Sequence, residues 1–126
     1  MLDWKIFMTS TLTPKRGEVW LVNFGPAVGA EIRKVRPGVI LAAQGVGRLV
    51  LEIVAPLTDW KPAYAGFSWF VHVPIDPANG LRKDSGADAF QVKSLSRERF
   101  VRRLGSLTAQ QVEAVAHAVA ICVGSP

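Results

Sequence analysis

Between Glu18 and Leu104 short apolar segments alternate with clusters of Gly, Pro, Asn and Asp, and a helical period sets in only after Thr108. That punctuation confines the chain to a run of short strands followed by one helix. Residues 18–24 alternate, with Trp20, Val22 and Phe24 on one face. Gly25, Pro26 and Gly29 open a loop that runs to Val35, and Pro37 biases Arg36 toward an extended backbone. Residues 38–43 continue as an apolar strand. Residues 48–56 form the strongest strand, with Leu49, Leu51, Ile53 and Ala55 on one side and Arg48 and Glu52 on the other. In residues 67–73, Phe67, Trp69, Val71 and Val73 point inward and Ser68 and His72 outward. Residues 90–95 and 100–104 are further strands, separated from the preceding one by a turn-rich stretch, residues 76–88, with room for one helical turn.

The terminal helix is marked at both ends. Thr108 and Gln111 have the spacing of a capping box, Val112, Val115, Ala116, Val119, Ala120 and Val123 form one stripe, and Gly124 suits the stop. Five or six short strands and one helix predict a mainly β fold, a small, strongly bent antiparallel barrel with a C-terminal α-helix packed on it. At 126 residues the chain supports one domain. Residues 1–13 read as a flexible leader, within which Met8 offers an alternative start, and residues 14–126 as the single folded domain.

Several functional classes are excluded at this stage. No apolar run approaches the roughly 20 residues that span a bilayer, and the leader has no sustained apolar core of a signal peptide. A cytoplasmic protein without membrane attachment is expected. The lone Cys122 forbids an internal disulfide and a multi-cysteine metal site, and reads as a small core residue. His117 lies off the helix stripe one turn after Glu113, a solvated pair, and His72 reads as a surface histidine. Fifteen Lys and Arg against ten Asp and Glu give a net charge of +5 and a pI near 9.9. Such a balance suits a polyanionic partner, because each phosphate neutralised releases counterions.

The segments able to carry chemistry are three. In PAVGAEIRKVRPGVIL a glycine-containing loop delivers Glu31, Arg33 and Lys34, and Arg36 stands at the mouth of a strand with its direction fixed by Pro37. A guanidinium needs such a fixed origin to grip a phosphate through two donors; a basic surface loop beside a strand would read the same way. In VAPLTDWKPAYAGF, Thr58 closes an apolar strand and Lys61 and Tyr64 are near enough to border one groove, although Thr58 can equally start a turn through its hydroxyl. In FQVKSLS, Phe90 and Val92 are placed inward and Gln91 and Lys93 outward, as on any solvated strand or along an RNA-reading one.

Taken in order, KRGEVWLVNFGPAVGAEIRKVRPGVIL, IVAPLT, FQVKSLS and a closing helix resemble the MazF/PemK family of toxin–antitoxin ribonucleases, from about Lys15 to Gly124. The resemblance implies an SH3-like barrel, a homodimer, and single-stranded RNA bound in a basic groove across two subunits. It also implies a cognate antitoxin whose tail pairs with Arg33, Lys34 and Arg36. The implied activity is that of a type II toxin, a sequence-specific endoribonuclease that needs no metal or other cofactor. The neighbouring 2′-hydroxyl attacks the phosphate, giving a 2′,3′-cyclic phosphate and a 5′-hydroxyl. The family's catalytic arginine and threonine match Arg36 and Thr58, and the loop acid that some members carry matches Glu31 as a candidate general base. Gln91, Lys93 and Ser94 match the strand near the RNA; Arg33, Lys34 and Lys61 join them as RNA-binding candidates. Ile32 and Arg33 stand where many members have Gln and Gly, so the cleavage sequence does not transfer. The same barrel also serves gyrase-inhibiting toxins without nuclease activity and decayed members that only bind RNA or antitoxin, which are the competing expectations.

Overall fold

The computed structural model describes residues 13–26, 28–31, 34–44 and 50–125. The leader read at residues 1–13 lies, except for Thr13, outside the described residues, as do Arg48 and Leu49. Seven antiparallel strands are found among the described residues: β1 (Glu18–Asn23), β2 (Val35–Ile40), β3 (Leu51–Asp59), β4 (Phe70–Val73), β5 (Ser85–Asp88), β6 (Lys93–Ser96) and β7 (Phe100–Ser106). One helix, α1 (Ala109–Cys122), follows. The strand order is β4-β5-β3-β2-β1-β7, with β6 added to β3. The nine-residue β3 pairs with β6 through residues 51–54, with β2 through residues 54–56 and with β5 through residues 57–59. One strand therefore belongs to two sheets, and the bend between them makes the SH3-like barrel that the sequence pattern and the resemblance predict.

Two apolar clusters hold it together. Trp20, Val22, Phe24, Ile40 and Val54 gather inside the curl of β1, β2 and β3, so the predicted face of β1 is indeed buried. Val19, on the opposite face of β1, is also fully buried, in a second cluster with Val39, Leu57, Val73, Val112 and Val115 under α1. Strands covered on both faces lose their alternation. That is why residues 54–57 of β3 are all buried.

The first half of β3 corrects the sequence reading. Leu51 and Ile53 are the exposed side, at 40% and 45%, whereas Glu52 and Val54 point inward at 5% and 0%. An inward carboxylate is tolerable because Arg97, in the turn after β6, reaches it with Nε 2.8 Å from Oε2.

Three further corrections follow from packing. Residues 67–69 form a turn and the strand starts at Phe70, which is buried, while Phe67 is exposed and Trp69 half-buried. Residues 85–88, read as part of a turn-rich connection, are β5, buried at all four positions. The glycine there is required, since a Cβ on Gly86 would meet Phe70 Cε1 at 1.8 Å. Residues 89–91 are a 3-10 turn rather than strand, because the Asp88 carboxylate accepts the N–H groups of Phe90 and Gln91. Phe90 is thereby turned outward to 71% exposure.

The helix follows the sequence closely. Thr108 Oγ1 accepts from Gln111 N–H at 3.1 Å, and the Gln111 side chain accepts from Thr108 N–H at 2.9 Å. Gly124, at φ +76°, closes the end, with Ser125 N–H on the Ala120 carbonyl and Gly124 N–H on that of Ile121. Val112, Val115 and Ala118 are buried, Ala116, Val119 and Ala120 half-buried and Val123 exposed. Glu113 pairs with Arg16 at 3.2 Å, and His117 is exposed. Thr108→Ala removes one arm of the box and is expected to cost about 1 kcal/mol. Calorimetry should register this as a melting temperature lower by roughly 4 °C.

Candidate functional site

The site is built where β2 and β3 run side by side. Their register pairs Gly38 with Pro56, Val39 with Ala55 and Ile40 with Val54. Arg36 and Thr58 each lie two residues beyond the Gly38–Pro56 pair, where β3 turns to β5. Pro37 keeps Arg36 extended, and on the other side Arg36 pairs with Val22 of β1. The β1–β2 loop is closed by Phe24 N–H on the Lys34 carbonyl and Lys34 N–H on that of Gly25. Lys34 takes φ +72° to make this closure, a left-handed conformation that costs a non-glycine residue about 1–2 kcal/mol. Thr58, half-buried, is held from its other side by β5, where it pairs with Gly86.

Arg36 and Thr58 line two adjoining cavities. The first, about 520 Å³, adds Arg82, Lys83 and Arg102 to Arg36, with Asp59 as the acid facing them. The second, about 360 Å³, is lined by Lys61, Tyr64, Trp69, Phe70 and Asp88 as well as Arg36, Thr58 and Asp59. A half-buried guanidinium and a hydroxyl therefore stand at the centre of a groove that is cationic on one side and aromatic on the other. Such a place can hold a phosphodiester, with the fork on its oxygens and the threonine fixing its rotation. Among the described residues no group of three or more His, Cys, Asp or Glu is arranged to hold a metal ion.

Asp59 tempers this charge. Lys83 Nζ bonds its Oδ1, and that hydrogen bond and charge, with smaller contributions from Arg36 and Lys61, hold the Asp59 carboxyl below its ordinary range against a small opposing effect of burial. A carboxyl depressed on folding favours the folded state above its unfolded pKa, and this contribution fades as pH falls through the lower folded value. Lys83→Ala is expected to move the Asp59 titration upward toward that of a free aspartate, observable by carboxyl-carbon NMR. Elsewhere, burial, and secondarily the charge of Asp88, push the half-buried Cys122 thiol up, which makes it a poor nucleophile.

The other candidates fall in three places. Lys61 joins Arg36 and Thr58 in the second cavity. Glu31 lines neither cavity: its carboxylate accepts Val28 N–H at 2.9 Å and lies 3.6 Å from Lys93 Nζ. Lys93 is thus tied to the β1–β2 loop, and Ser94 is exposed on β6 opposite Ile53. Gln91 Nε2 donates to Asp88 Oδ2 at 2.8 Å and borders a third cavity with Trp69, Asp88 and Phe90. Lys34 is exposed and lines none of these cavities, and Arg33 lies outside the described residues. Sequence reasoning missed Arg82, Lys83 and Arg102, whose only local signal is charge, and Asp88, whose role needs the fold.

A family model described as PemK-like, MazF-like toxin of type II toxin-antitoxin system matches residues 15–123. The endoribonuclease MazF9 of Mycobacterium tuberculosis is 30% identical over 105 residues, which cover 78% of this chain and 86% of that protein. MazF from Deinococcus radiodurans superposes with a TM-score of 0.72 at 24% identity, over 88% of this chain and 96% of that one. An endoribonuclease in complex with its cognate antitoxin, from a mycobacterial species, gives 0.69 at 18% identity, over 90% and 98%. At those identities the two structures speak to the fold, which is the same. The matched family covers nearly the whole barrel and helix, including Arg36 and Thr58, and the chain belongs to the PemK/MazF-like toxins of type II toxin–antitoxin systems.

Proposed function

We propose that the chain is an endoribonuclease that cuts single-stranded RNA at a phosphate held between Arg36 and Thr58. The observation that carries this reading is that Arg36, on β2, and Thr58, on β3, line both cavities of the groove. RNA supplies its own nucleophile. The 2′-oxygen loses its proton and bonds to phosphorus, the bond to the 5′-oxygen breaks, and that oxygen leaves with a proton as a 5′-hydroxyl beside a 2′,3′-cyclic phosphate. The enzyme's task is in-line alignment and stabilisation of the charge on the phosphorane. Arg36 supports the non-bridging oxygens and hydrogen-bonds the leaving oxygen, which takes its proton from water. Thr58 donates to the same phosphate. Glu31 is the proposed base for the 2′-hydroxyl; engaged with Val28 and Lys93, it is expected to matter less than Arg36. Lys61, which lines the second cavity, and Lys34, Arg33, Gln91, Lys93 and Ser94 are the residues proposed to bind the strand. A single 2′-deoxynucleotide on the 5′ side of the cleaved bond is expected to abolish the cut, and cutting of that substrate would refute the proposed chemistry.

The working form is a homodimer. Val50, Leu51 and Ile53 form an apolar outer edge at 56%, 40% and 45% exposure, which a second copy would cover. The physiological inhibitor is an antitoxin whose acidic or apolar segment lies over the groove, in keeping with the similar fold solved in complex with its cognate antitoxin. The cytoplasm, where the RNA is, is the proposed location, and no helix among the described residues is long and apolar enough to cross a membrane.

A further inference from the structure

The groove already contains an anion. Asp59 closes β3 one residue after Thr58 and lines both cavities, so a carboxylate stands among the cations that would meet a bound strand. Asp88, the other acid of the second cavity, is 7% exposed and taken up by Phe90 and Gln91. Glu18, Glu52 and Glu113 also hold cations, but none of them lines either cavity. The partner of Asp59 is itself a groove cation. Lys83, which lines the first cavity with Arg36, Arg82 and Arg102, donates from Nζ to Asp59 Oδ1. Arg36 and Lys61 are near enough for their charge to act on the same carboxylate. The backbone around this pair is fixed: Asp59 pairs with Ser85 of β5, and Trp60 N–H donates to the Asp84 carbonyl at 3.4 Å. The side chains are not. They are 62% and 66% exposed, and an exposed pair of this kind contributes little to the fold. A lysine on its flexible stem is therefore able to leave the carboxylate for a phosphate oxygen.

We propose that Asp59 is a resident competitor of the RNA phosphates, and that strand binding transfers Lys83 from the Asp59 carboxylate to a phosphate beside the one held at Arg36 and Thr58. The proposal rests on RNA as the ligand of this groove. One charge-assisted hydrogen bond breaks and another forms, with no covalent change. Two consequences follow from the charges. In the empty groove the carboxylate neutralises part of the cationic wall and so weakens the hold on any polyanion. When a cut strand leaves, the carboxylate takes the lysine back, which favours release of the product. Asp59 thus sets how tightly the groove holds RNA, while Arg36 and Thr58 act on the bond that is cut.

The probe is a single-stranded oligoribonucleotide containing one cleavage site, with a 2′-deoxynucleotide there to prevent cutting. Its affinity is measured over a range of salt concentrations for the wild type, Asp59→Asn, Lys83→Met and the double variant, all with unchanged circular dichroism. Asp59→Asn is expected to bind about 5- to 10-fold more tightly at low salt, the scale of one or two exposed charge contacts. Lys83→Met is expected to bind more weakly, and its log–log salt dependence should be shallower by about 0.7, the loss of one phosphate contact on a single strand. The gain from Asp59→Asn should be clearly smaller when Lys83 is already absent, because the two residues compete for one charge. Unchanged or weaker binding by Asp59→Asn would overturn the proposal. So would an unchanged salt dependence in Lys83→Met, or an equal gain from Asp59→Asn in both backgrounds, which would reduce Asp59 to simple repulsion. A wild type that binds the probe but leaves the unmodified strand uncut would overturn the ribonuclease reading, with the four affinities still deciding the exchange. A wild type that does not bind would overturn both.

Discussion

Arg36→Ala is expected to slow RNA cleavage by about 100- to 1,000-fold or more, the loss typical of removing one preorganised donor from a developing oxyanion. Single-turnover rates should carry this loss, since the guanidinium meets charge that grows in the transition state. Thermal stability should change little, because Arg36 is half-buried at a groove wall and takes no part in either apolar cluster. Arg36→Lys is expected to recover only part of the rate. A lysine retains the charge but loses the planar fork. Thr58→Val, which keeps the shape and removes the hydroxyl, should fall between the wild type and Arg36→Ala. Rates equal to wild type in Arg36→Ala would remove the arginine from the chemistry.

The second large effect is on stability. Arg97→Met strands the Glu52 carboxylate inside the barrel, where its side chain is 6% exposed and Arg97 is its ion-pair partner. Breaking a buried pair from one side typically costs about 3–5 kcal/mol. Arg97 is itself 29% exposed, so water can reach the vacated site, and the lower end of that range is expected in urea unfolding. Replacing both partners, Glu52→Leu with Arg97→Met, should restore most of the loss, because no uncompensated charge then remains. A double variant as unstable as Arg97→Met would mean that the pair contributes through packing rather than charge.

The Glu52 case explains where sequence reasoning fails on this fold. The pattern of residues 48–56 correctly announces a strand, but its partner for the buried acid lies 45 residues away, and no local signal tells which face is inward. β5 is invisible for a related reason. Ser85, Gly86, Ala87 and Asp88 have no strand-forming side chains, and they form a strand because β3 and β4 flank them and the Phe70 ring occupies the space over Gly86. What was legible is local. Thr108, Gln111 and Gly124 mark the helix through contacts within a few residues, and Pro37 fixes the direction of Arg36 through its immediate neighbour. Thr58 stands between these cases: its strand end is legible and marks its hydroxyl as a candidate, its place in the same cavities as Arg36 needs the fold, and the family resemblance supplies its role. The inward reading of Phe90 failed because one carboxylate, Asp88, replaces strand by a turn.

The most direct test of the central claim, that Arg36 and Thr58 form the cleavage centre, is the fate of a long single-stranded RNA incubated with the purified protein in EDTA. Fragments cut at defined sites, bearing 5′-hydroxyl and 2′,3′-cyclic phosphate ends and absent with Arg36→Ala, are the predicted result. Folded protein that leaves the RNA intact, or cuts that persist in Arg36→Ala or carry 5′-phosphates, would contradict it.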